Sequence, residues 1–259
     1  MKVMLVGDVC GRPGREAFAR ITPALRKEKN IDVVIVNGEN SAGGKGFTRK
    51  SFEALRRGGA DVVTSGNHVW DKREVLEFID DEPFLLRPAN YPHHAPGRGW
   101  CLYPWRAKSI AVMNLSGRVF MPTLDCPFQT AERLLHEIGD KADIVILDFH
   151  AEATSEKMAM GWHMDGRAQI VVGTHTHVQT ADERILTNGT AYITDLGMTG
   201  PMDSVLGVRK SRILERFLTG RPTRFDLAEG PCVYSALIVE IDEKTNRPTS
   251  LERVLRWGV

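Results

Sequence analysis

The chain has 259 residues, of which 42% are apolar and 26% charged. This much apolar surface can offset the entropy lost on ordering the chain, which excludes disordered, collagen-like and low-complexity proteins. The 34 basic and 33 acidic residues leave a net charge of +1, so no long-range attraction to nucleic acid or anionic lipid is expected.

The chain carries no obvious targeting or membrane signal. The apolar stretch before Asp8 is too short for the core of a signal peptide, and no run approaches the roughly 18 apolar residues that span a bilayer. The four cysteines lack C-x-x-C spacing, which argues against a zinc knuckle or a disulfide framework. We therefore expect a soluble, cytoplasmic protein that does not contact a membrane.

The first part of the chain alternates strand-like apolar runs with helical patterns. Strands are predicted at Lys2–Gly7, Asp32–Asn37 and Asp61–Ser65, and helices at Gly14–Lys29, Arg49–Arg57 and Glu74–Ile79. Such βαβαβ alternation predicts a parallel sheet with right-handed crossovers.

The second part of the chain is more varied. Four prolines make Asp80–Gly99 a loop or extended segment. The elements predicted after it are a hairpin (Trp100–Trp105 and Ser109–Leu115), a helix (Ala131–Ile138), two strands (Asp143–Phe149 and Ile170–Gly173), a second hairpin (Arg184–Leu186 and Ala191–Ile193, around Asn188-Gly189), a helix (Arg209–Leu218) and a final strand pair (Val233–Ile241 and Leu251–Trp257). Since no linker or repeat interrupts the pattern, we predict one domain over residues 1–259.

Side chains that can bind metal follow five of the predicted strands. They are Asp8 after the first strand, Glu39 and Asn40 after the second, Asn67 and His68 after the third, His150 at the end of the fourth, and His175 and His177 after the fifth. In a parallel sheet these ends share one edge, which is where open α/β sheets bind ligands. Taken alone, Asp8 could cap a helix, and Asn40 or Asn67 could serve only as a turn residue.

The chemistry of this set points to a dinuclear metal site. Carboxylates, carboxamides and imidazoles suit Mn, Fe, Zn or Co better than Ca or Mg, which prefer nearly all-oxygen shells. Even without His68, seven donors are too many for one tetrahedral ion, but they fit two ions about 3.5–4 Å apart with Glu39 as the bridging carboxylate. Two divalent ions would leave the site cationic and would lower the pKa of a bridging water. Hydrolysis of a phosphate ester is the chemistry that suits such a site best.

Five motifs occur in the order found in the calcineurin-like metallophosphoesterases. The blocks are Gly7-Asp8, Gly38-Glu39-Asn40, Gly66-Asn67-His68, His150 and His175-x-His177. The sequence most resembles the YmdB-like branch of that family, in its GEN and GTHTHVQT strings, and the resemblance covers nearly the whole chain. It implies a layered α/β fold with mixed sheets, helices outside and a metal site at the carboxyl edge of the strands.

The resemblance also implies roles for the site residues. One metal would be held by Asp8, Asn40 and His177, the other by Asn67, His150 and His175, with Glu39 bridging them and His68 protonating the leaving group. The implied activity is phosphodiester hydrolysis of cyclic nucleotides, 2′,3′-cyclic ones included, by a hydroxide that bridges two ions. Iron or manganese is the expected metal, with zinc or cobalt as alternatives.

The first block differs from the wider family pattern. It is Asp8-Val9-Cys10, whereas most members have Asp-x-His, so the first metal should bind less tightly than the second. Cys10 is expected to be a small buried side chain, although contact with metal stays open. A substrate-side role for His163 also stays open, and the apolar loop Val119–Phe128 could be a lid or a subunit contact.

Two other functions are compatible with parts of the sequence. One is a metal-containing regulatory scaffold that binds RNA or a protein, with slow or incidental hydrolysis; nothing in the composition favours RNA. The other is hydrolysis of a C–N bond, which His-x-His sites also support but for which the five ordered blocks give no support. The expected partner is a small phosphate ester or cyclic nucleotide, and a homo-oligomer is left open.

Overall fold

Two β-sheets form the centre of the protein, which a computed structural model describes over residues 1–259. In chain order the strands are β1 (Lys2–Val6), β2 (Asp8–Val9), β3 (Val33–Asn37), β4 (Val62–Thr64), β5 (Trp100–Trp105), β6 (Lys108–Ser116), β7 (Ile144–His150), β8 (Ile170–Thr174), β9 (Arg184–Ile185), β10 (Ala191–Ile193), β11 (Met198–Pro201), β12 (Cys232–Ile241) and β13 (Pro248–Arg256). The first sheet has the order β2-β11-β12-β1-β3-β4, with β13 paired to β12, and the second has the order β5-β6-β7-β8-β10-β9.

Parallel pairing sets the direction of the strands that matter for function. In the first sheet β1, β3 and β4 run parallel, and in the second sheet β6, β7 and β8 do. Antiparallel partners flank them, because β12 pairs with β1 and β5 pairs with β6. Both sheets are therefore mixed, as the resemblance implied.

The chain forms five helices outside the two sheets. They are α1 (Gly11–Lys29), α2 (Arg49–Arg57), α3 (Pro127–Ile138), α4 (Thr154–His163) and α5 (Lys210–Thr219), with short 3₁₀ turns at Arg73–Glu77 and Gly139–Lys141. α1 and α2 share a buried cluster with one face of the first sheet, and α3 and α4 share another with one face of the second.

A third buried cluster joins the two sheets to each other. Successive residues of a strand point to opposite faces, so Val3 and Leu5 of β1 face the second sheet, whereas Met4 and Val6 face α1. Across the interface lie Ile144 and other apolar residues of the second sheet. Strands covered on both faces read as continuous apolar runs, which is why the sequence identified them.

Most predicted elements are confirmed, including both hairpins and the final strand pair. The predicted helix Glu74–Ile79 is a 3₁₀ turn over Arg73–Glu77. Sequence reasoning missed β2 and β11, because strands of two and four residues are too short to show a pattern. It also missed α4, because this helix buries Glu156 and Lys157 and therefore lacks an apolar periodicity.

The parallel pairing predicted for the first three strands is confirmed in β1, β3 and β4, but the expectation that all five polar strand ends share the edge of one sheet was wrong. The strand ends that carry the polar residues belong to two sheets, β1, β3 and β4 to one and β7 and β8 to the other. Periodicity cannot assign buried strands to sheets, because an apolar run looks the same in either. None of the helices has the length and apolar character that crossing a membrane requires.

Candidate metal centre

The carboxyl ends of strands from the two sheets meet at His150, the last residue of β7. Its Nε2 atom lies 3.0 Å from Glu39 Oε1, 3.0 Å from Asn67 Oδ1 and 3.0 Å from His175 Nδ1. The ligand atoms of Glu39, His150 and His175 all lie within 4.8 Å of one another, and His150 and Glu39 are fully buried. Residues far apart in the chain thus place four possible ligand atoms around one point.

A hydrogen-bond chain fixes the orientation of the His150 ring. Thr174 Oγ1 donates to Asp148 Oδ1 at 2.8 Å, so it accepts a hydrogen bond from His150 Nδ1, which is 2.9 Å away. Nδ1 therefore carries a proton, and Nε2 faces the other ligand atoms. Asn37 Nδ2, at 3.1 Å, and Thr64 also donate to Asp148, whose pKa burial raises. Partners of this kind orient the imidazole ligands of metal sites.

The other two imidazoles also direct a lone pair inwards. His175 Nε2 lies 3.0 Å from Glu152 Oε2, a carboxylate oxygen that accepts, which leaves Nδ1 unprotonated and facing His150. Burial and the nearby His150 lower the pKa of His175 to about 3, so the ring is neutral. His177 Nδ1 donates to the carbonyl oxygen of Leu206 at 3.1 Å, so His177 Nε2 carries the lone pair.

A second group of ligand atoms lies beside His177. Asn40 Nδ2 donates to the Gly44 carbonyl at 3.0 Å, which fixes Asn40 Oδ1 toward His177 Nε2 at 3.3 Å. Both facing atoms are acceptors, so no proton joins them. Asp8 is fully buried, and its Oδ1 has no hydrogen-bond partner, while its Oδ2 accepts from the His175 N–H at 3.2 Å.

These observations fit a bound cation. A buried carboxylate oxygen without a partner is costly unless a metal or a donor satisfies it, and two acceptors face each other at Asn40 and His177. The set combines oxygen and nitrogen donors, which suits first-row transition metals. The residues present therefore fit the metals that the sequence predicts.

Electrostatics at the centre couple Glu39 to His150. Burial alone would raise the pKa of Glu39, but the facing His150 lowers it to about 2. Burial alone would lower the pKa of His150, but Glu39 and Asp8 raise it to about 9. Burial raises the pKa of Asp8 well above its usual value. At this raised pKa His150 also carries a proton on Nε2, which it donates to Glu39, and a cation held by these atoms would take the place of that proton.

The loop that carries His175 and His177 has a strained backbone. Both residues have positive φ angles, 106° and 64°, which cost roughly 1–3 kcal/mol each in non-glycine residues. Thr176 lies between them, and its N–H and Oγ1 donate to Asp195 Oδ2 at 3.1 and 2.7 Å. Lys157 of α4 forms an ion pair with the same carboxylate, and both residues are 2% exposed or less. A buried ion pair thus holds the loop in this conformation.

His68 occupies the edge of the centre. Its N–H donates to Glu39 Oε2 at 3.0 Å, and its ring Nδ1 lies 3.0 Å from Asp71 Oδ2. Asp71 can only accept, so Nδ1 carries the proton in this contact, and the side chain is 24% exposed. The ring is thus oriented by a carboxylate at the boundary between the buried ligands and solvent.

Two other residues of interest lie outside this arrangement. Cys10 packs with Met198 and Val233, and burial raises the pKa of its thiol to about 12. His163 lies on α4 with Nε2 at 3.0 Å from Glu132 of α3, on the outer side of the second sheet.

Sequence reasoning missed the residues that support the ligands. Asp148 was visible as the one charged residue within the apolar run Ile144–Phe149, and Asp195 follows the short strand β10 as the other polar residues follow theirs. Lys157 gives no signal, because a lysine on a helix is ordinarily solvated.

Comparison with known proteins agrees with the fold and the motifs. A family model described as YmdB-like protein matches residues 4–254. The chain belongs to the YmdB-like family. Among its relatives, a 2′,3′-cyclic-nucleotide 2′-phosphodiesterase of Bacillus subtilis (strain 168) is 50% identical over 255 residues, which cover 98% of this chain and 97% of that protein.

Two solved structures share the whole fold of this YmdB-like protein. A hypothetical protein from Thermus thermophilus superposes with a TM-score of 0.94 at 42% identity, over 100% of both chains. A novel phosphatase from Mycoplasma pneumoniae superposes with a TM-score of 0.94 at 33% identity, over 99% of this chain and 93% of that one. The predicted layered α/β fold is confirmed.

The Lys157–Asp195 pair can be tested by substitution. Asp195→Asn leaves Lys157 as an uncompensated buried charge, so we expect the free energy of unfolding, measured by urea denaturation, to fall by about 3–5 kcal/mol. Lys157→Met combined with Asp195→Asn should recover part of this loss. Glu132→Gln, which breaks the exposed pair with Arg167, is the matched control and should lower the free energy of unfolding far less. An equally small cost for Asp195→Asn would contradict the assigned role.

Proposed function

We propose that this YmdB-like protein is a dinuclear metal-dependent phosphodiesterase that hydrolyses cyclic nucleotides, 2′,3′-cyclic nucleotides included. The observation that carries the proposal is the convergence of Glu39, Asn67 and His175 on His150 Nε2. Family membership and a 50%-identical phosphodiesterase that matches 98% of the chain make the protein a phosphoester hydrolase.

The donor atoms divide into two sets around Glu39. Asn67, His150 and His175 would hold one ion, Asp8, Asn40 and His177 would hold the other, and Glu39 would serve both. Two bound transition-metal ions would supply an activated water and would offset negative charge on the phosphoryl oxygens. The residues themselves hold the site in a dry, fixed geometry, since Asp8, Glu39 and His150 are buried.

The charge of the site selects an anionic substrate. Only Asp8 and Glu39 contribute negative charge to the ligand set, so two divalent ions leave an excess of positive charge. A phosphodiester anion would be attracted to it and aligned by it. Manganese or iron suits the mixed nitrogen and oxygen donors, with zinc and cobalt as alternatives.

His68 is the proposed proton donor to the leaving oxygen. Its backbone N–H donates a hydrogen bond to Glu39, and its side chain is partly exposed to solvent. For a 2′,3′-cyclic nucleotide cleaved at the 2′ bond, the leaving oxygen is the ribose 2′ oxygen, which needs a proton as the bond to phosphorus breaks. Asp71 orients the imidazole for this transfer.

The function itself is tested by metal analysis paired with a substrate panel. We expect untagged protein to contain two transition-metal ions per chain and to turn over 2′,3′-cyclic nucleotides many times. Removal of the metal with a chelator should abolish turnover, and adding Mn²⁺ back should restore it. Binding of the nucleotide without product release would instead indicate the regulatory scaffold.

Substitution of His68 tests its role in proton transfer. His68→Ala should keep its metal content and lower kcat for a 2′,3′-cyclic nucleotide by about 10²- to 10⁴-fold. With an activated phenolic phosphodiester the loss should be much smaller, because that leaving group scarcely needs a proton. His136→Ala, an exposed histidine on α3, is the control. Equal losses on both substrates would argue against proton donation.

Metal titration tests the two ligand sets. The ion at His150 and His175 has two imidazole ligands, whereas the ion at His177 has one, so two Mn²⁺ affinities should be resolved by calorimetry. His177→Ala should abolish the weaker phase and retain the stronger one. Two equal affinities in the unaltered protein would contradict the assignment.

A further inference from the structure

A cavity of about 450 Å³ lies between the proline-rich segment, β5 and α3. Three arginines line it, Arg87, Arg98 and Arg133, together with Tyr91 and Trp100. None of these residues belongs to the proposed metal ligands.

The cavity flanks the His68 side of the metal centre. Leu86 donates its N–H to Val63 at 2.8 Å, and Leu85 pairs in parallel with Val63, so this segment runs alongside β4 toward the same edge. There Tyr91 meets Trp70 edge-on, with ring centroids 5.9 Å apart. Trp70 is two residues beyond His68, so Tyr91 connects the cavity to the turn that carries the proposed proton donor.

The positive charge in the cavity is only partly offset by the protein, because Asp80 favours the charged form of Arg87 but forms no close ion pair with it. Arg87 is only 7% exposed, and its guanidinium donates to the carbonyl oxygens of Pro88, Ala95 and Pro96 at 2.9, 3.2 and 2.9 Å. No carboxylate oxygen lies within 4.0 Å of a guanidinium nitrogen of Arg87 or Arg98. A buried guanidinium that forms no ion pair is less favourable than a paired one, and a bound anion would lower this cost.

The two carboxylates that line the cavity do not cancel this charge. Glu137 lies 3.7 Å from Arg133 and accepts from the Trp100 indole at 3.3 Å, and Asp125 is exposed. Three arginines therefore face two acids. Arginine is the side chain best suited to bind phosphoryl oxygens, because its planar donors match their geometry.

We infer that this cavity binds a second phosphoryl group of the substrate, so the preferred substrate is a 2′,3′-cyclic nucleotide that also carries phosphate on its 5′ side. The inference rests on the proposed function. If His68 protonates the 2′ oxygen, the ribose lies on the His68 side of the centre, and its 5′ substituent can extend toward the arginines. The 5′ phosphate could be a terminal monoester or the diester that links an oligonucleotide.

Three substrates test this inference with the metal-loaded protein. They are a nucleoside 2′,3′-cyclic phosphate, its 5′-phosphorylated form, and a dinucleotide that ends in a 2′,3′-cyclic phosphate. We expect kcat/KM to be about tenfold higher for one or both of the 5′-substituted substrates, mainly through a lower KM. Preference for the 5′-phosphorylated form points to a terminal monoester, and preference for the dinucleotide points to an oligonucleotide end.

Substitution then locates the preference. In Arg98→Gln/Arg133→Gln, two exposed changes, the ratio of kcat/KM between 5′-substituted and unsubstituted substrates should fall to within about twofold of one. Arg106→Gln removes an exposed positive charge from the turn after β5, at the other end of that strand from the cavity, and should keep the ratio.

The outcomes separate the two proposals. Equal kcat/KM for all three substrates in the unaltered protein, or a preference that survives the double substitution, would overturn the cavity assignment while leaving the phosphodiesterase intact. Failure to hydrolyse any of the three would instead refute the proposed function.

Discussion

The hydrogen-bond chain from Asp148 through Thr174 to His150 fixes the point on which both sheets converge. Asp148 is buried within β7 and accepts from Thr174, Thr64 and Asn37, so it joins strands of the two sheets at their carboxyl ends. The proton on His150 Nδ1 is committed to this chain, and Nε2 is consequently directed at Glu39, Asn67 and His175. Without that orientation, the remaining donor atoms would have no common centre.

Around this point the protein keeps unfavourable features that only a compact fold can hold in place. The positive φ angles of His175 and His177 are maintained because Thr176 is bound to Asp195, which is itself paired with Lys157. Asp8 keeps a carboxylate oxygen without a partner in a fully buried position. Strain and unsatisfied groups of this kind concentrate at functional sites, where a ligand compensates for them.

Along the edge formed by the carboxyl ends of the strands, solvent exposure increases from the buried candidate metal ligands to the arginine cavity. Asp8, Glu39 and His150 are excluded from solvent, His68 reaches it, and the arginine cavity opens beyond Tyr91 and Trp70. A small phosphodiester would contact the first two zones, and a substrate with a second phosphate would reach the third.

The sequence by itself determined the strands, their polar ends and the donor chemistry, because doubly covered strands are apolar and the residues that follow them are not. The motif residues Asp8, Glu39, Asn67 and His150 were identifiable on those grounds. Only the tertiary structure decided that the ends belong to two facing sheets, that Asp148 and the Lys157–Asp195 pair orient the candidate ligands, and that Arg87 and Tyr91 line one cavity. These features depend on contacts between residues far apart in the chain, and local periodicity does not indicate which distant side chains come into contact.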